Sequence, residues 1–113
     1  MKPQRGELYW ANLDPVIGSE IAKTRPALII SNNIGNQYAD RVIVAPISSS
    51  GPGKIYPFEV HLNPSEGGLS KASKILLDQI RTLDKSRLGE QIGTLSAERM
   101  EEVNRAIRIS LAV

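Results

Sequence analysis

Pro15-Val-Ile-Gly-Ser-Glu-Ile-Ala-Lys-Thr-Arg25-Pro26-Ala-Leu-Ile-Ile30 joins a polar loop to a strongly apolar run. The ring of Pro26 disfavours helical backbone at the residue before it, so we expect Arg25 in an extended conformation. A proline is tolerated as the first residue of a strand, and the four apolar residues after it are typical of a buried strand. The sequence therefore predicts Arg25 at the mouth of a strand that is anchored in the core.

The loop before Arg25 carries groups that can form hydrogen bonds. Gly18 permits a backbone turn that other residues resist, and Ser19 and Glu20 follow it. A mobile loop could aim these side chains back at Arg25. An ordinary surface salt bridge on a hairpin loop is the simpler alternative, and for these residues alone it is the more frequent arrangement.

Composition indicates one folded domain, residues 1–113. Apolar residues make up 41% and charged residues 23%, which is typical of a globular chain. The absence of cysteine excludes disulfides, thiolate zinc sites and a cysteine nucleophile. The sequence lacks an apolar leader and a run of about 18 apolar residues, so we expect no membrane association and a cytoplasmic location.

The charge of the chain is weakly basic and evenly spread. Its formal net charge is +2 and its pI about 9.1, without the concentrated basic tail of a tight duplex binder. A nucleic-acid role would then depend on a local group of arginine and lysine beside polar side chains. Such a group suits a short single-stranded substrate better than a long duplex.

Short β-rich segments separated by turn residues fill most of the chain. Strands are predicted at Gly6–Leu13, Pro26–Ser31, Arg41–Ser48, Tyr56–Leu62 and Ser73–Leu83, with a very short one at Gln91–Ile92. Pro46 predicts an edge or a bulge in the third of them. An irregular connection is expected at Asn32–Asn36, a loop at Ser48–Gly53, and a turn or single helical turn at Asp84–Leu88.

The C-terminal segment has helical periodicity. Ser96 is a good N-cap, and Met100, Val103, Ile107 and Leu111 recur on one face. Leu95 and Met100 stand at the positions of a hydrophobic staple. Several short strands followed by one helix predict a mainly β fold with α, a small, strongly bent sheet or partly open barrel covered by the C-terminal helix.

The usual catalytic sets are absent from the sequence. His61 is the only histidine, in an alternating strand where a structural role is the default, and no phosphate loop or spaced metal-ligand cluster occurs. We therefore expect no metal and no cofactor. What remains is a set of polar residues near strand ends: Ser19, Glu20, Arg25, Asn32, Ser48, Asp78, Gln79 and Arg81.

Four sequence blocks resemble the MazF/PemK/Kid family of toxin endoribonucleases. They are Arg5-Gly-Glu-Leu-Tyr-Trp10, Pro15-Val-Ile-Gly-Ser-Glu20, Thr24-Arg-Pro-Ala-Leu-Ile-Ile-Ser-Asn32 and Asp78-Gln-Ile-Arg-Thr-Leu-Asp-Lys-Ser-Arg-Leu88, and they span nearly the whole chain in the family's order. The resemblance implies an SH3-like barrel of the CcdB/MazF type and a homodimer. It also implies metal-independent cleavage of single-stranded RNA at short sequences, and inhibition by a cognate MazE-like antitoxin.

The resemblance also assigns roles to residues. The family's catalytic arginine falls on Arg25, its catalytic threonine or serine on Ser48, and its loop Ser-Glu pair on Ser19 and Glu20. The Gln-Ile-Arg block implies that Asp78, Gln79 and Arg81 lie near the RNA-binding face, and Asn32 joins them as a predicted RNA-binding residue. Relatives often carry threonine at the position of Ser48 and glutamate at that of Asp78.

The chemistry of these residue types agrees with cleavage of RNA by its own 2′-hydroxyl. The protein then needs to position the phosphate, stabilise its extra charge and move protons. We expect Arg25 to stabilise charge, Ser48 to donate a hydrogen bond to the phosphate, and Glu20 either to pair with Arg25 or to accept the 2′-hydroxyl proton.

Two other functions are compatible with a small barrel. A CcdB-like topoisomerase poison would share the fold, but this chain ends Ser110-Leu-Ala-Val113 and not in that family's Trp-Gly-Ile. A non-catalytic SH3-like module that binds nucleic acid is the third possibility. Loss of Arg25 should abolish cleavage under the first hypothesis and matter little under the other two.

Overall fold

The computed structural model describes residues 2–49 and 53–113. In this part of the chain the strands are β1 Glu7–Asn12, β2 Thr24–Ile29, β3 Arg41–Ser48, β4 Glu59–Leu62, β5 Ser73–Leu76, β6 Arg81–Asp84 and β7 Leu88–Thr94. The helices are α1 Asn33–Tyr38 and α2 Ala97–Leu111, with short 3₁₀ turns at Glu66–Gly68 and Lys85–Arg87. Residues 50–52 of the predicted 48–53 loop lie outside the described residues.

All strand pairs are antiparallel, and the sheet follows the order β4-β5-β3-β2-β1-β7, with β6 also on β3. The long strand β3 changes partners along its length, because residues 41–44 pair with β6 and residues 47–48 with β5. Pro46 lies at this changeover, where one ladder is interrupted and the missing N–H of a proline is tolerated. The sheet curls so that its two end strands, β6 and β7, are joined by the short turn Lys85–Arg87. The described residues show no ladder of hydrogen bonds between these two strands, so the barrel is not closed. The predicted bent, partly open barrel is confirmed.

Apolar side chains pack on both faces of the curled sheet. The barrel interior contains Tyr9, Ala11, Leu13, Ala27, Ile29, Val42, Val44, Leu83 and Leu88. The outer face contributes a second cluster that includes Leu8, Leu28, Ala45 and Ile47 together with Val103 and Ala106 of α2. Three consecutive residues of β2, Ala27 to Ile29, are fully buried because alternate side chains enter the two clusters.

The C-terminal helix forms as predicted. The Ser96 side chain accepts a hydrogen bond of 3.2 Å from the Arg99 amide, which caps the first turn. Val103 is fully buried, and Met100 and Ile107 pack against the outer cluster. The apolar face of the helix is thus covered mainly by the sheet of its own chain, and Leu111 at its end is half exposed.

Several predicted segments differ from the structure. The strand predicted at Tyr56–Leu62 begins only at Glu59, and the one predicted at Pro26–Ser31 is Thr24–Ile29. Residues 33–38 form α1 and not an irregular connection, since Asn32 caps the helix by accepting from the Gly35 amide at 2.7 Å. The strand predicted over Ser73–Leu83 is split into β5 and β6 by a turn in which the Gln79 amide donates to the Leu76 carbonyl at 3.2 Å. Near Gln91–Ile92 the strand is longer than predicted, because β7 pairs along β1.

An ion pair and a glycine contact hold the turn Glu66–Gly68 in place. The Arg99 guanidinium donates two hydrogen bonds of 2.8 Å to the Glu66 carboxylate and others to Glu102. These bonds lower the pKa of Glu66 to about 2. On the other side of the turn, a Cβ on Gly68 would lie 2.4 Å from the carbonyl oxygen of Ile92, so only glycine permits this approach to β7.

Replacing Glu66 by glutamine is expected to lower the free energy of unfolding at pH 7 by about 1 kcal/mol, because the pair is only partly shielded from water. In the folded state the pKa of the Glu66 carboxyl lies below its ordinary value of 4.5. The ionised carboxylate therefore stabilises the fold fully above pH 4.5, and this contribution is lost as the pH falls towards 2. Urea unfolding of the parent and Glu66→Gln between pH 7 and 2.5 measures this difference. Glu102→Gln, in a more exposed pair, is the matched control with a smaller effect. A difference between parent and Glu66→Gln that did not narrow on acidification would contradict the assignment.

Candidate functional site

The loop between β1 and β2 borders two clefts that contain most of the predicted site residues. The first has a volume of about 450 Å³ and is lined by Pro15, Ser19, Glu20, Ile21, Asp78, Gln79, Ile80 and Arg81. The second has a volume of about 340 Å³ and includes Arg25. We call them the Glu20 cleft and the Arg25 cleft. The structure thus brings Ser19, Glu20, Asp78, Gln79 and Arg81 together and places Arg25 in a separate cleft.

Two predicted RNA-binding side chains anchor this loop in the structure. The Arg81 guanidinium donates to the Leu13 carbonyl at 2.8 Å, at the point where β1 ends and the loop begins. The Gln79 amide oxygen accepts from the Ile21 amide at 2.9 Å, and the Ile21 side chain packs against the barrel interior. Both ends of the loop are therefore fixed by hydrogen bonds to the β5–β6 segment.

A second arginine reinforces the start of the loop. Arg87 donates to the carbonyl oxygens of Asn12 and Asp14, so with Arg81 the two guanidinium groups hold three consecutive carbonyls. The Lys23 amide donates to the Asp14 carboxylate at 3.0 Å and closes the loop from its other end. Sequence reasoning missed Arg87. The signal that could have found it is its place in the fourth resembling block, six residues after Arg81.

Glu20 lies at the exposed tip of the loop. Its carboxylate accepts from the Ile17 amide at 2.5 Å, across the turn that Gly18 makes with φ of 60°. In residues 2–49 and 53–113 neither Glu20 nor Arg25 takes part in an ion pair. The surface salt bridge considered from sequence is not formed, and the carboxylate remains accessible beside Ser19, Asp78 and Gln79.

Arg25 stands at the mouth of β2 as the sequence predicts. Its Nε donates to the Ala22 carbonyl at 3.2 Å, and its two terminal nitrogens have no hydrogen-bond partner among the described residues. The other side chains lining its cleft are apolar, hydroxyl-bearing or basic: Trp10, Thr24, Pro26, Ser49, Leu69, Ser70, Lys71, Ser73 and Ile92. No carboxylate lines the described part of this cleft, so its charge is positive. Sequence reasoning assigned none of these residues to the site.

The register places Ser48 at the same end of the sheet as Arg25. Ala27 pairs with Pro46, and Arg25 and Ser48 each lie two positions beyond that pair on adjacent antiparallel strands. Side chains two positions apart share a face of a strand, so the two residues belong to one face. Ser48 pairs with Lys74 of β5, and the next residue, Ser49, lines the Arg25 cleft.

Asn32 lies apart from the other predicted site residues. Its side chain caps α1 and borders a shallow cleft with Ser31, Arg41 and Thr82. A structural role as N-cap explains this residue without a ligand.

The described ranges contain neither a metal-binding cluster nor a membrane-spanning helix. Within them, no three side chains of histidine, cysteine, aspartate or glutamate come together in a group able to hold a metal ion. Their helices are all too short or too polar to cross a bilayer.

Comparison with known proteins gives consistent matches. A family model described as PemK-like, MazF-like toxin of type II toxin–antitoxin system matches residues 4–111. Endoribonuclease MazF of Staphylococcus saprophyticus is 48% identical over 97% of this chain and 92% of its own length. Endoribonuclease EndoA of Bacillus subtilis is 43% identical over 97% of this chain and 95% of its own length.

Solved structures agree with the sequence matches. The crystal structure of MazF from Deinococcus radiodurans superposes with a TM-score of 0.84 at 34% identity, covering 100% of this chain and 99% of that one. A mycobacterial endoribonuclease in complex with its cognate antitoxin superposes with a TM-score of 0.81 at 27% identity, covering 98% and 96%.

Removing the acceptor of the Ile21 amide is expected to loosen the loop locally. In Gln79→Leu, hydrogen exchange at this amide should speed up about fivefold, the equivalent of one net hydrogen bond, with little change in global stability. Asp78→Asn is the control, because Asp78 is exposed and neighbours Gln79 without forming this bond. Unchanged exchange in Gln79→Leu, measured by NMR, would mean that Gln79 does not anchor the loop.

Proposed function

The chain belongs to the PemK-like, MazF-like toxin family of type II toxin–antitoxin systems, and on that premise we propose that it is a sequence-specific, metal-independent endoribonuclease. Its substrate is single-stranded RNA, including messenger RNA. The names of its relatives, endoribonuclease MazF and endoribonuclease EndoA, support the reaction class.

The observation that carries the proposal is the state of Arg25. Arg25 is exposed near the start of β2, whose last three residues are fully buried, has no carboxylate partner in the described part of the chain, and shares a face of the sheet with Ser48. An arginine that is held by its backbone and left unpaired can place two parallel hydrogen bonds on a phosphate. Hydroxyl groups around it supply further donors.

The proposed reaction is an internal transesterification. The 2′-hydroxyl attacks the adjacent phosphorus, the bond from phosphorus to the 5′-oxygen breaks, and the products are a 2′,3′-cyclic phosphate and a 5′-hydroxyl. Arg25 stabilises the additional negative charge on the phosphoryl oxygens, and Ser48, at the same end of the sheet, donates a hydrogen bond to them. Arginine stays protonated at physiological pH, so its role here is electrostatic.

Glu20 is the proposed acceptor of the 2′-hydroxyl proton. Its carboxylate is exposed, is free of ion pairs in the described residues, and lies on the loop that runs directly to Arg25. Ser19, Asp78 and Gln79 line the same cleft and present oxygen acceptors and donors to base edges. This arrangement supports base-specific binding beside the cleavage site, because carboxylate and amide groups pair with the amino groups of bases. Arg81 supports this surface by fixing the loop. Asn32 is proposed as an RNA-binding residue from its position in the sequence alone.

The proposal includes two protein partners. The first is a cognate MazE-like antitoxin, supported by the mycobacterial endoribonuclease solved with its cognate antitoxin and by the crystal structure of MazE–MazF from Deinococcus radiodurans. The second is another copy of the chain, since a barrel this small leaves large apolar side chains exposed, among them Ile34, Tyr38, Ile109 and Leu111. The place of action is the cytoplasm, where messenger RNA is available.

Purified protein is expected to cleave a long RNA in the presence of EDTA, since the described residues form no metal-binding group. Mapping of the cut ends should give 5′-hydroxyl and 2′,3′-cyclic phosphate termini at a recurring short sequence. Arg25→Ala, purified in the same way, is the control for contaminating nucleases. An absolute requirement for Mg²⁺ or Mn²⁺ would overturn the mechanism. Absence of cleavage together with inhibition of a topoisomerase would favour the CcdB-like alternative.

Arg25→Lys is expected to lose about 10²- to 10³-fold in kcat and to remain folded, because lysine keeps the charge and lacks the bidentate fork. Ser48→Ala should also be impaired, whereas Ser48→Thr should retain activity because the hydroxyl is kept. Single-turnover cleavage measures these rates. Arg105→Lys, on the exposed side of α2, is the matched control. Parental rates in Arg25→Lys would show that charge alone is sufficient.

A further inference from the structure

Trp10 is the only tryptophan of the chain and lies on the outer face of β1. Its neighbours Tyr9 and Ala11 enter the barrel interior, so the indole points to the opposite side. Trp10 is 43% exposed and pairs with Pro26, the residue after Arg25. A large aromatic side chain with this much surface in water is more typical of a binding surface than of a core.

The side chains that bury Leu8 on this face of β1 do not extend as far as Trp10. Leu8, two positions earlier, is fully buried against Gly67 and the outer cluster under α2. Beside Trp10 stands Gly89 of β7, where a Cβ would lie 3.5 Å from that of Trp10. Since glycine has no side chain, β7 leaves the indole uncovered at this point.

The surroundings of the indole suit a polyanion. The Arg25 cleft contains Lys71, several hydroxyl groups and, among the described residues, no carboxylate. Arg25 enters this lining between Thr24 and Pro26, and its own side chain starts on the other face of the sheet, where Ala11 pairs with it. The Glu20 cleft has a different charge, because the two carboxylates of Glu20 and Asp78 outnumber the one cation, Arg81, in its lining. An aromatic ring beside cations is the arrangement by which proteins hold single-stranded nucleic acids, with bases stacked on the ring and phosphates on the cations.

We propose that Trp10 stacks on a base of the bound RNA while Lys71 holds a neighbouring phosphate. This inference rests on the proposed function, since it takes RNA as the ligand. Stacking tolerates every base, so Trp10 fixes the position of the strand, and the choice of sequence is left to the Glu20 cleft.

Tryptophan fluorescence tests the proposal without any variant. An RNA with 2′-deoxy substitution at the cleavage site binds without being cut, and its binding can be followed independently by the anisotropy of an attached dye. Because the chain has a single tryptophan, stacking should quench most of its emission, with the same Kd as the anisotropy change. Saturable binding with unchanged emission would overturn the proposal.

Variants of Trp10 test whether an aromatic ring is required for binding. Trp10→Leu should weaken binding of this RNA about tenfold or more, and Trp10→Phe, which keeps an aromatic face, should stay within about threefold of the parent. Tyr56→Leu, at an aromatic residue with the same 43% exposure as Trp10, is the control and should bind like the parent. Equal affinity of the Trp10→Leu and Trp10→Phe variants would contradict stacking.

Other outcomes distinguish this inference from the function on which it rests. Quenching by long, unmodified RNAs of mixed sequence that the parent protein cleaves at no position would retain the stacking site and reject the nuclease. Cleavage at the parental rate and affinity by Trp10→Leu would retain the nuclease and reject the stacking site. Emission that shifts to longer wavelength on dilution in the absence of RNA would place Trp10 between two copies of the chain and overturn the proposal.

Discussion

The burial of β2 on both faces is the constraint on which the rest of the structure depends. Ala27, Leu28 and Ile29 send alternate side chains into the barrel interior and into the cluster under α2, so this strand belongs to two cores at once. A strand fixed on both sides cannot tilt without opening one of them. Arg25 stands two residues before the first buried position and is therefore aimed by the core, although its own side chain is exposed.

The loop that precedes Arg25 is held by hydrogen bonds at both ends, and its tip is left exposed. Arg81 and Arg87 hold the carbonyl oxygens at the end of β1, and Gln79 holds the Ile21 amide. Between these points Gly18, Ser19 and Glu20 are exposed, and the Glu20 carboxylate accepts a hydrogen bond from the Ile17 amide. The arrangement combines fixed ends with an adaptable tip, which is suited to a ligand that must enter and leave.

Local patterns were sufficient to predict the elements that are governed by local physics. The N-cap Ser96 with its periodic apolar face predicted α2, and the Pro26 boundary predicted β2. The split between β5 and β6 was missed because a buried Leu77 continues the apolar run while the backbone turns, and apolar content alone cannot distinguish these cases. For the candidate site, sequence supplied Arg25, Glu20 and Gln79, but their division into two clefts depends on the pairing of β2 and β3 with distant strands.

The glycine contact between the turn Glu66–Gly68 and β7 has a consequence for ligand choice. Gly68 lines the Arg25 cleft and touches the Ile92 carbonyl, and the space for a Cβ on Gly93 is likewise filled by the Gly67 carbonyl. One wall of the cleft is thus backbone packed on backbone, with no rotamers to rearrange. A wall of this kind cannot widen by a change of rotamer, so its shape stays constant. Under the proposed function, it would admit a flat base and exclude the same base with a bulky adduct.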